Sequence, residues 1–382
     1  MPESLDSDAN NGPQECAIEQ GTAPGGKVHL HWLDAVRFLA ALFVLIEHTR
    51  GVAFQSWGDL DADSRTPVVM VFFALARLGT EAVVVFFVLS GLLVGGPGFS
   101  RILAGRFQLR DYVIDRLVRL MLPMVPAVAL TLLVSIVLQD YAGSILQILG
   151  NILFLQGLLV DALNNNSPMW TLAYEFWFYF LLAALFLLTR RAISGFVAIC
   201  VFLLVFRHFH PVFLFSWLIG AAVFFLTARQ IGGLTVILAA GLLAFFVAGG
   251  QLASVDPVRF GWFHELQPVF CMSVVVALIL RYLSDCKPGR LLAPIERLLG
   301  QCGKFSYTLY LTHFPLLAML RELLGVERSC AVDAKTIGIY LGLIAICFAF
   351  AVVLYLLFER HTQAVKVWLK SSLSRRAPNY AQ

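Results

Sequence analysis

The stretch Leu33 to Phe54, LDAVRFLAALFVLIEHTRGVAF, limits what this chain can be more than any other. It is apolar enough to cross a bilayer, yet it carries Asp34, Arg37, Glu47 and His48. An ionised side chain within a membrane helix costs roughly 2.5–3.5 kcal/mol on insertion scales, so such residues persist mainly where they serve a function. Arg37 and His48 lie eleven positions apart. At about 100° and 1.5 Å per residue they share a helix face and stand roughly 16 Å apart along the axis. One face therefore carries a fixed cation near one membrane surface and a titratable imidazole towards the other. On this helix alone a plainer reading stands beside the functional one: Arg37 snorkels to a headgroup, and His48 is a satisfied polar residue near the far interface.

The rest of the chain agrees with a membrane setting. Hydrophobic residues make up 59% of it and charged residues 14%, a balance that excludes an ordinary soluble domain and points to an all-α, polytopic integral membrane protein. The net charge of +4 is modest, and no basic patch is interleaved with aromatics, so nucleic acid is not an expected partner. The seven cysteines (Cys16, Cys200, Cys271, Cys286, Cys302, Cys330 and Cys347) are scattered singly. That pattern fits neither a disulfide framework nor a metal site, and no metal is expected.

Residues 1–28 are polar, acidic and rich in Gly, Asn, Pro and Gln; they lack the apolar core of a signal peptide and read as a disordered tail. Residues 29–361 form the expected membrane domain, and residues 362–382 a basic tail. Apolar runs at 33–54, 80–95, 120–138, 168–189, 192–206, 210–228, 231–249, 264–283, 305–323 and 335–358 predict about ten transmembrane helices. The segment 68–79 reads as a short surface helix, and 144–158 as a weaker stretch that dips in and returns.

Most of the 28 Lys and Arg residues fall on one side if both termini are cytoplasmic: the arginine connector 96–123, Arg190 with Arg191, the 281–304 loop and the C-terminal tail. This orientation puts Arg37 near the cytoplasmic mouth and His48 towards the outer face. The segment MWTLAYEFWFYF begins outside, after the polar loop DALNNNSP, with Trp170 and Tyr174 beside Glu175. Glu175 and His48 then come to similar depth, the arrangement a carboxylate needs to orient an imidazole. Trp177 and Tyr179 read as an interface belt, His208 and His210 as solvated turn residues, and Glu359 with Arg360 as a local pair.

These residues resemble the membrane-bound O-acyltransferases called acyltransferase family 3. That family opens with Arg, ten residues and His, as do Arg37 and His48. VFFVLSGLL, with Ser90 and Gly91, is similar to its second span, and Arg116 and Arg119 to its Arg-x-x-Arg. Trp170, Thr171, Leu172, Glu175 and Phe178-Tyr179 resemble its Trp-Ser-Leu-x-x-Glu-x-x-Phe-Tyr signature, with Thr171 in place of Ser. FSWLIGAAVFF, GKFSYTLYLTHFP and FER follow in family order, so the likeness runs over residues 32–361.

The resemblance implies a bacterial inner-membrane enzyme that transfers an acyl group, acetyl ahead of succinyl, from cytoplasmic acyl-CoA to a hydroxyl of a cell-surface or lipid-linked glycan. Arginine forks suit the CoA phosphates, and Arg37, Arg116 and Arg119 are the expected clamp. Positive-inside anchoring is the plainer account of Arg116 and Arg119. The pantetheine arm is comparable in length to the Arg37–His48 separation. His48 is the expected general base, with Glu175 fixing its tautomer. Tyr174 or Ser90 is available to an oxyanion, Glu47 is a secondary candidate, and His313 is either a functional residue or a helix–helix contact. Many relatives carry an SGNH-type domain after the last helix; the chain printed here stops at Gln382, so direct transfer or hand-off to a separate extracytoplasmic partner is expected. A proton-coupled transporter or flippase using Arg37, His48, Glu175 and His313 is the alternative.

Overall fold

The structure, a computed structural model, describes residues 30–140, 143–255, 268–285 and 292–375. The expected N-terminal tail, residues 286–291 of the basic loop and the last seven residues lie outside them. Among the described residues the fold is helical throughout, with isolated bridges in place of strands. A helix occupies each of the ten stretches read as spans. Among the described residues six stretches are both long and apolar enough to cross a membrane, and two further apolar helices, Ile193–Phe206 and Pro211–Val223, are shorter.

The charged helix is the one the others surround. We label it α1, Leu30–Ala53. It packs against α3 (Gly79–Ser90), α12 (Pro268–Asp285), α13 (Ala293–Cys302), α14 (Ser306–Leu323) and α15 (Ala334–Leu357). By contrast α11, Gly233–Val255, turns Leu234, Ile237, Leu238 and Phe245 outward. The sorting follows from the solvent: lipid accepts apolar side chains freely and ionisable ones at high cost, so a helix bearing ionisable groups is enclosed by its neighbours.

Ends and breaks have local causes. Thr66 accepts from the Val69 N–H at 3.3 Å and Pro67 opens α2, Pro67–Leu75. Asp333 accepts from Thr336 N–H at 2.8 Å to start α15. After α3 the chain continues through a π-helical turn, Gly91–Gly95, into α4, Gly96–Leu103. This turn meets α9 (Pro211–Val223) backbone to backbone, since a Cβ on Gly91 would stand 2.0 Å from the Trp217 carbonyl oxygen. α5, Leu109–Val137, carries Pro123 and Pro126 in its interior, where each removes a backbone donor. The segment read as dipping in forms the short helix α6, Ile145–Ile152, followed by a loop held by Asn151. Its amide donates to the Gln147 and Asp161 carbonyls at 2.9 Å and its oxygen accepts from Leu163 N–H at 3.3 Å.

α7 is Trp170–Thr189, α8 is Ile193–Phe206, and the one-turn α10 is Ala228–Ile231. Thr362–Arg375 forms α16, which lies against α5. Lys370 Nζ stands 3.1 Å from Asp115 and 3.8 Å from Asp111, and Arg110 donates to the Lys370 carbonyl at 3.3 Å. This helix falls within residues 362–382, the stretch expected as a basic tail. Lys370 has carboxylate partners on α5 that no local pattern could reveal.

Candidate active site

Two cavities lie along α1, one at each end of the Arg37–His48 face. The larger, of about 270 Å³, is lined by Arg37 from α1, Ser90 from α3, Arg116 and Arg119 from α5, Thr171, Glu175 and Tyr179 from α7, Tyr307 and Tyr310 from α14, and Lys366 from α16. Arg37 Nη1 donates to Asp34 Oδ1 at 2.6 Å. Arg119 Nη1 is 3.9 Å from Glu359 Oε1, whose other oxygen accepts from the Thr308 hydroxyl at 2.6 Å and its N–H at 3.2 Å. The Arg116 guanidinium lies over the rings of Tyr179 and Tyr112, at 5.5 and 6.0 Å from their centroids, and Arg119 over Tyr307 at 5.7 Å. Arg116 Nε and the Tyr307 hydroxyl are buried without a hydrogen-bond partner. Unsatisfied buried donors are costly, so their presence on residues that line a cavity is consistent with an acceptor-rich ligand there.

The smaller cavity, of about 150 Å³, is lined by Glu47 and His48 with Thr80, Ser167, Trp170, Phe213 and Tyr310. Tyr310 and Val83 border both spaces. His48 Nδ1 is 2.9 Å from His313 Nε2, and His313 Nδ1 is 3.1 Å from the Leu309 carbonyl. That carbonyl only accepts, so Nδ1 of neutral His313 bears the proton and its Nε2 is the lone pair. His48 must then donate through Nδ1, which leaves His48 Nε2 as the free base.

The sequence profile of a family described as an acyltransferase domain matches residues 30–356. The chain belongs to this family. No curated protein and no solved structure matches it. The molecule is thus an acyltransferase and a multi-pass membrane protein, and its two cavities lie within an acyl-transferring fold.

Several residues of the acyltransferase sit where the sequence reading put them, and several do not. Arg37, Arg116 and Arg119 line one cavity together, and Ser90, expected at the His48 end as an oxyanion donor, lines the arginine cavity instead. Trp170 and Glu47 line the other with His48. Glu47 also accepts from Gly79 N–H at 2.5 Å, so its carboxylate holds the start of α3. Glu175 does not meet His48. α7 begins at Trp170, so Glu175 already lies roughly 7.5 Å into the bundle; it accepts from the Tyr179 hydroxyl within the arginine cavity. His313, 1% exposed, takes the place beside the imidazole instead.

Tyr174 lines neither cavity. Its hydroxyl accepts from the His210 N–H at 2.8 Å, and its ring packs among Phe87, Trp170, Phe209 and Phe213. Trp177 and Tyr179 are buried, not belt residues, with Trp177 Nε1 donating to the Phe154 carbonyl at 3.1 Å. Glu359 reaches Arg119 across the bundle while Arg360 donates to His361, so the expected local pair is absent. Asn166 of the polar loop is fully buried, donating to Thr131 Oγ1 at 3.0 Å and the Leu311 carbonyl at 3.2 Å.

The sequence reading passed over Tyr307 and Tyr310, although Tyr307, Tyr310 and His313 recur every third position and so share one face of α14. Thr171 Oγ1 lies 3.0 Å from the Tyr310 hydroxyl, and both reach the Pro168 carbonyl, which locks α7 to α14 between the cavities. Lys366 carried no signal among the basic residues around it. Among the described residues no three His, Cys, Asp or Glu side chains gather as a metal-holding group.

Proposed function

We propose that this acyltransferase takes its acyl group from acyl-CoA held by Arg37, Arg116 and Arg119, and delivers it to an acceptor hydroxyl at His48. The observation that carries this reading is the pairing of a cationic cavity with a histidine cavity across Tyr310. Guanidinium groups at the first recognise phosphate, and unpartnered Arg116 Nε and Tyr307 OH are donors in want of acceptor oxygens. The roughly 16 Å between the two ends of the α1 face suits an extended pantetheine arm.

The chemistry balances with the groups present. His48 Nε2 accepts the proton of the acceptor hydroxyl as its oxygen attacks the thioester carbonyl. His313 accepts the Nδ1–H hydrogen bond of the resulting imidazolium. The tetrahedral adduct collapses, the C–S bond breaks, and the imidazolium returns its proton to the departing sulfur of CoA. Trp170, Phe213, Thr80 and Ser167 line the cavity proposed for the acceptor, two aromatic and two hydroxyl-bearing residues. That lining suits a sugar, and a cell-surface or lipid-linked glycan is the proposed acceptor, with acetyl the proposed acyl group. Both termini face the cytoplasm in this reading, and the setting is a bacterial inner membrane.

The test separates binding from turnover in purified protein. Wild type should bind CoA and release free CoA from acetyl-CoA when a glycan acceptor is present. His48→Ala should bind CoA normally and turn over about 10²-fold or more slowly. Arg116→Ala should bind CoA about tenfold more weakly. Full turnover by a well-folded His48→Ala enzyme would remove His48 from the mechanism.

A further inference from the structure

Lys366 lies beyond the matched residues 30–356, yet it lines the same cavity as the three arginines. Two observations distinguish it from a basic residue that merely anchors a helix. The turn that bears it is fastened, because Lys370, one helical turn on, is paired with Asp115 and Asp111 of α5. Lys366 itself, among the described residues, has no carboxylate within the 4.0 Å of an ion pair. It is near enough to Arg116 and Arg119 to be repelled by them, with Asp115, already engaged by Lys370, the carboxylate that attracts it from beyond ion-pair distance. Four cations thus face one cavity whose wall carries one carboxylate, Glu175. Asp34 and Glu359, which do not line the cavity, offset Arg37 and Arg119. Arg116 and Lys366 have no such ion pair among the described residues, and an anion of several charges would neutralise the excess they leave.

We propose that Lys366 is a fourth ligand for the phosphates of the acyl donor, carried into place by α16, which forms a wall of the donor cavity. The inference rests on the donor reading above and adds to it a residue and an element outside the family match. Phosphate on a nucleotide and phosphate on a lipid headgroup share this chemistry, and the donor is the source assigned here.

The experiment is titration of CoA into the full-length protein in nanodiscs of phosphatidylcholine, repeated in phosphatidylglycerol. Lys366→Met keeps the aliphatic stem and should weaken CoA binding about tenfold in phosphatidylcholine, with Lys366→Gln as a second neutral variant. Lys366→Arg should recover most of the affinity. Arg190→Ala, which removes an exposed cation with no assigned ligand, should bind as wild type does. If wild type fails to bind CoA, the donor reading falls and this inference with it. If wild type binds and Arg116→Ala weakens binding while Lys366→Met and Lys366→Gln match wild type, the assignment of Lys366 alone is wrong. A loss confined to phosphatidylglycerol discs would give Lys366 to a headgroup and likewise overturn it.

Discussion

At His48 the direction of a single hydrogen bond decides which nitrogen is basic. Because the Leu309 carbonyl holds the proton of His313 on Nδ1, the bond to His48 runs from His48 Nδ1 to His313 Nε2. His313→Gln keeps an acceptor near the former Nε2, whereas His313→Leu leaves the His48 tautomer unspecified. Turnover should therefore fall about 10²-fold in His313→Leu and recover substantially in His313→Gln, with CoA affinity unchanged in both. Equal turnover in the two variants would reduce His313 to packing. Glu175 belongs to the opposite cavity, and its sign matters there. A carboxylate among the arginines repels the donor phosphates, so Glu175→Gln should tighten CoA binding severalfold. Calorimetry on the purified variant reads this directly; weaker binding would mean that Glu175 chiefly orients the cations.

Among the elements, α3 and the turn that follows it meet α9 backbone to backbone. A Cβ on Gly220 would stand 2.1 Å from the Val88 carbonyl oxygen, just as one on Gly91 would meet Trp217. Small residues let helix backbones touch where lipid supplies no hydrophobic drive for association. The Ser90-Gly91 pair therefore has two separate places: Ser90 lines the arginine cavity and Gly91 seats the neighbouring helix. Gly91→Leu should lower the thermal midpoint and the yield of folded protein, since overpacking costs about 1–3 kcal/mol or more. Gly241→Leu, with no atom within 4 Å of a new Cβ, is the matched control and should behave as wild type. The loop before α7 is sensitive for a different reason. Asn166→Ala removes donors to Thr131 and Leu311 inside the bundle, at a cost of about 1–3 kcal/mol, which a denaturation midpoint would record.

On the scale of the whole molecule, the proposed function gives the transfer a direction. CoA is a cytoplasmic compound, so the donor reading requires the arginine cavity to open to the cytoplasm and the His48 cavity to face the other way. Reporter fusions at Arg110 and Arg191 should accordingly report cytoplasm, and a fusion at Asn164 the outside. An external signal at Arg110 would reverse every depth in the mechanism. α16 extends the same logic past the last span: by pairing with α5 it brings a cation from the far end of the chain to the mouth used by Arg116 and Arg119.

The amino-acid sequence on its own determined the helical class, the stretches that became helices and the family, because hydrophobic run length and residue spacing along one helix are local properties. The Arg37–His48 face belongs with these, since a helix fixes the angle and rise between two of its own residues. Relations between helices were another matter. Glu175 looked level with His48 only while the packing of α7 beside α1 was unknown, and His313 looked like one polar residue among several until α14 packed against α1. Tyr310, Glu359 and Lys366 acquired their partners through contacts between segments far apart in sequence. Such contacts depend on which faces of neighbouring helices interlock, and in lipid that is set by packing of small and large side chains, a property that no single stretch contains.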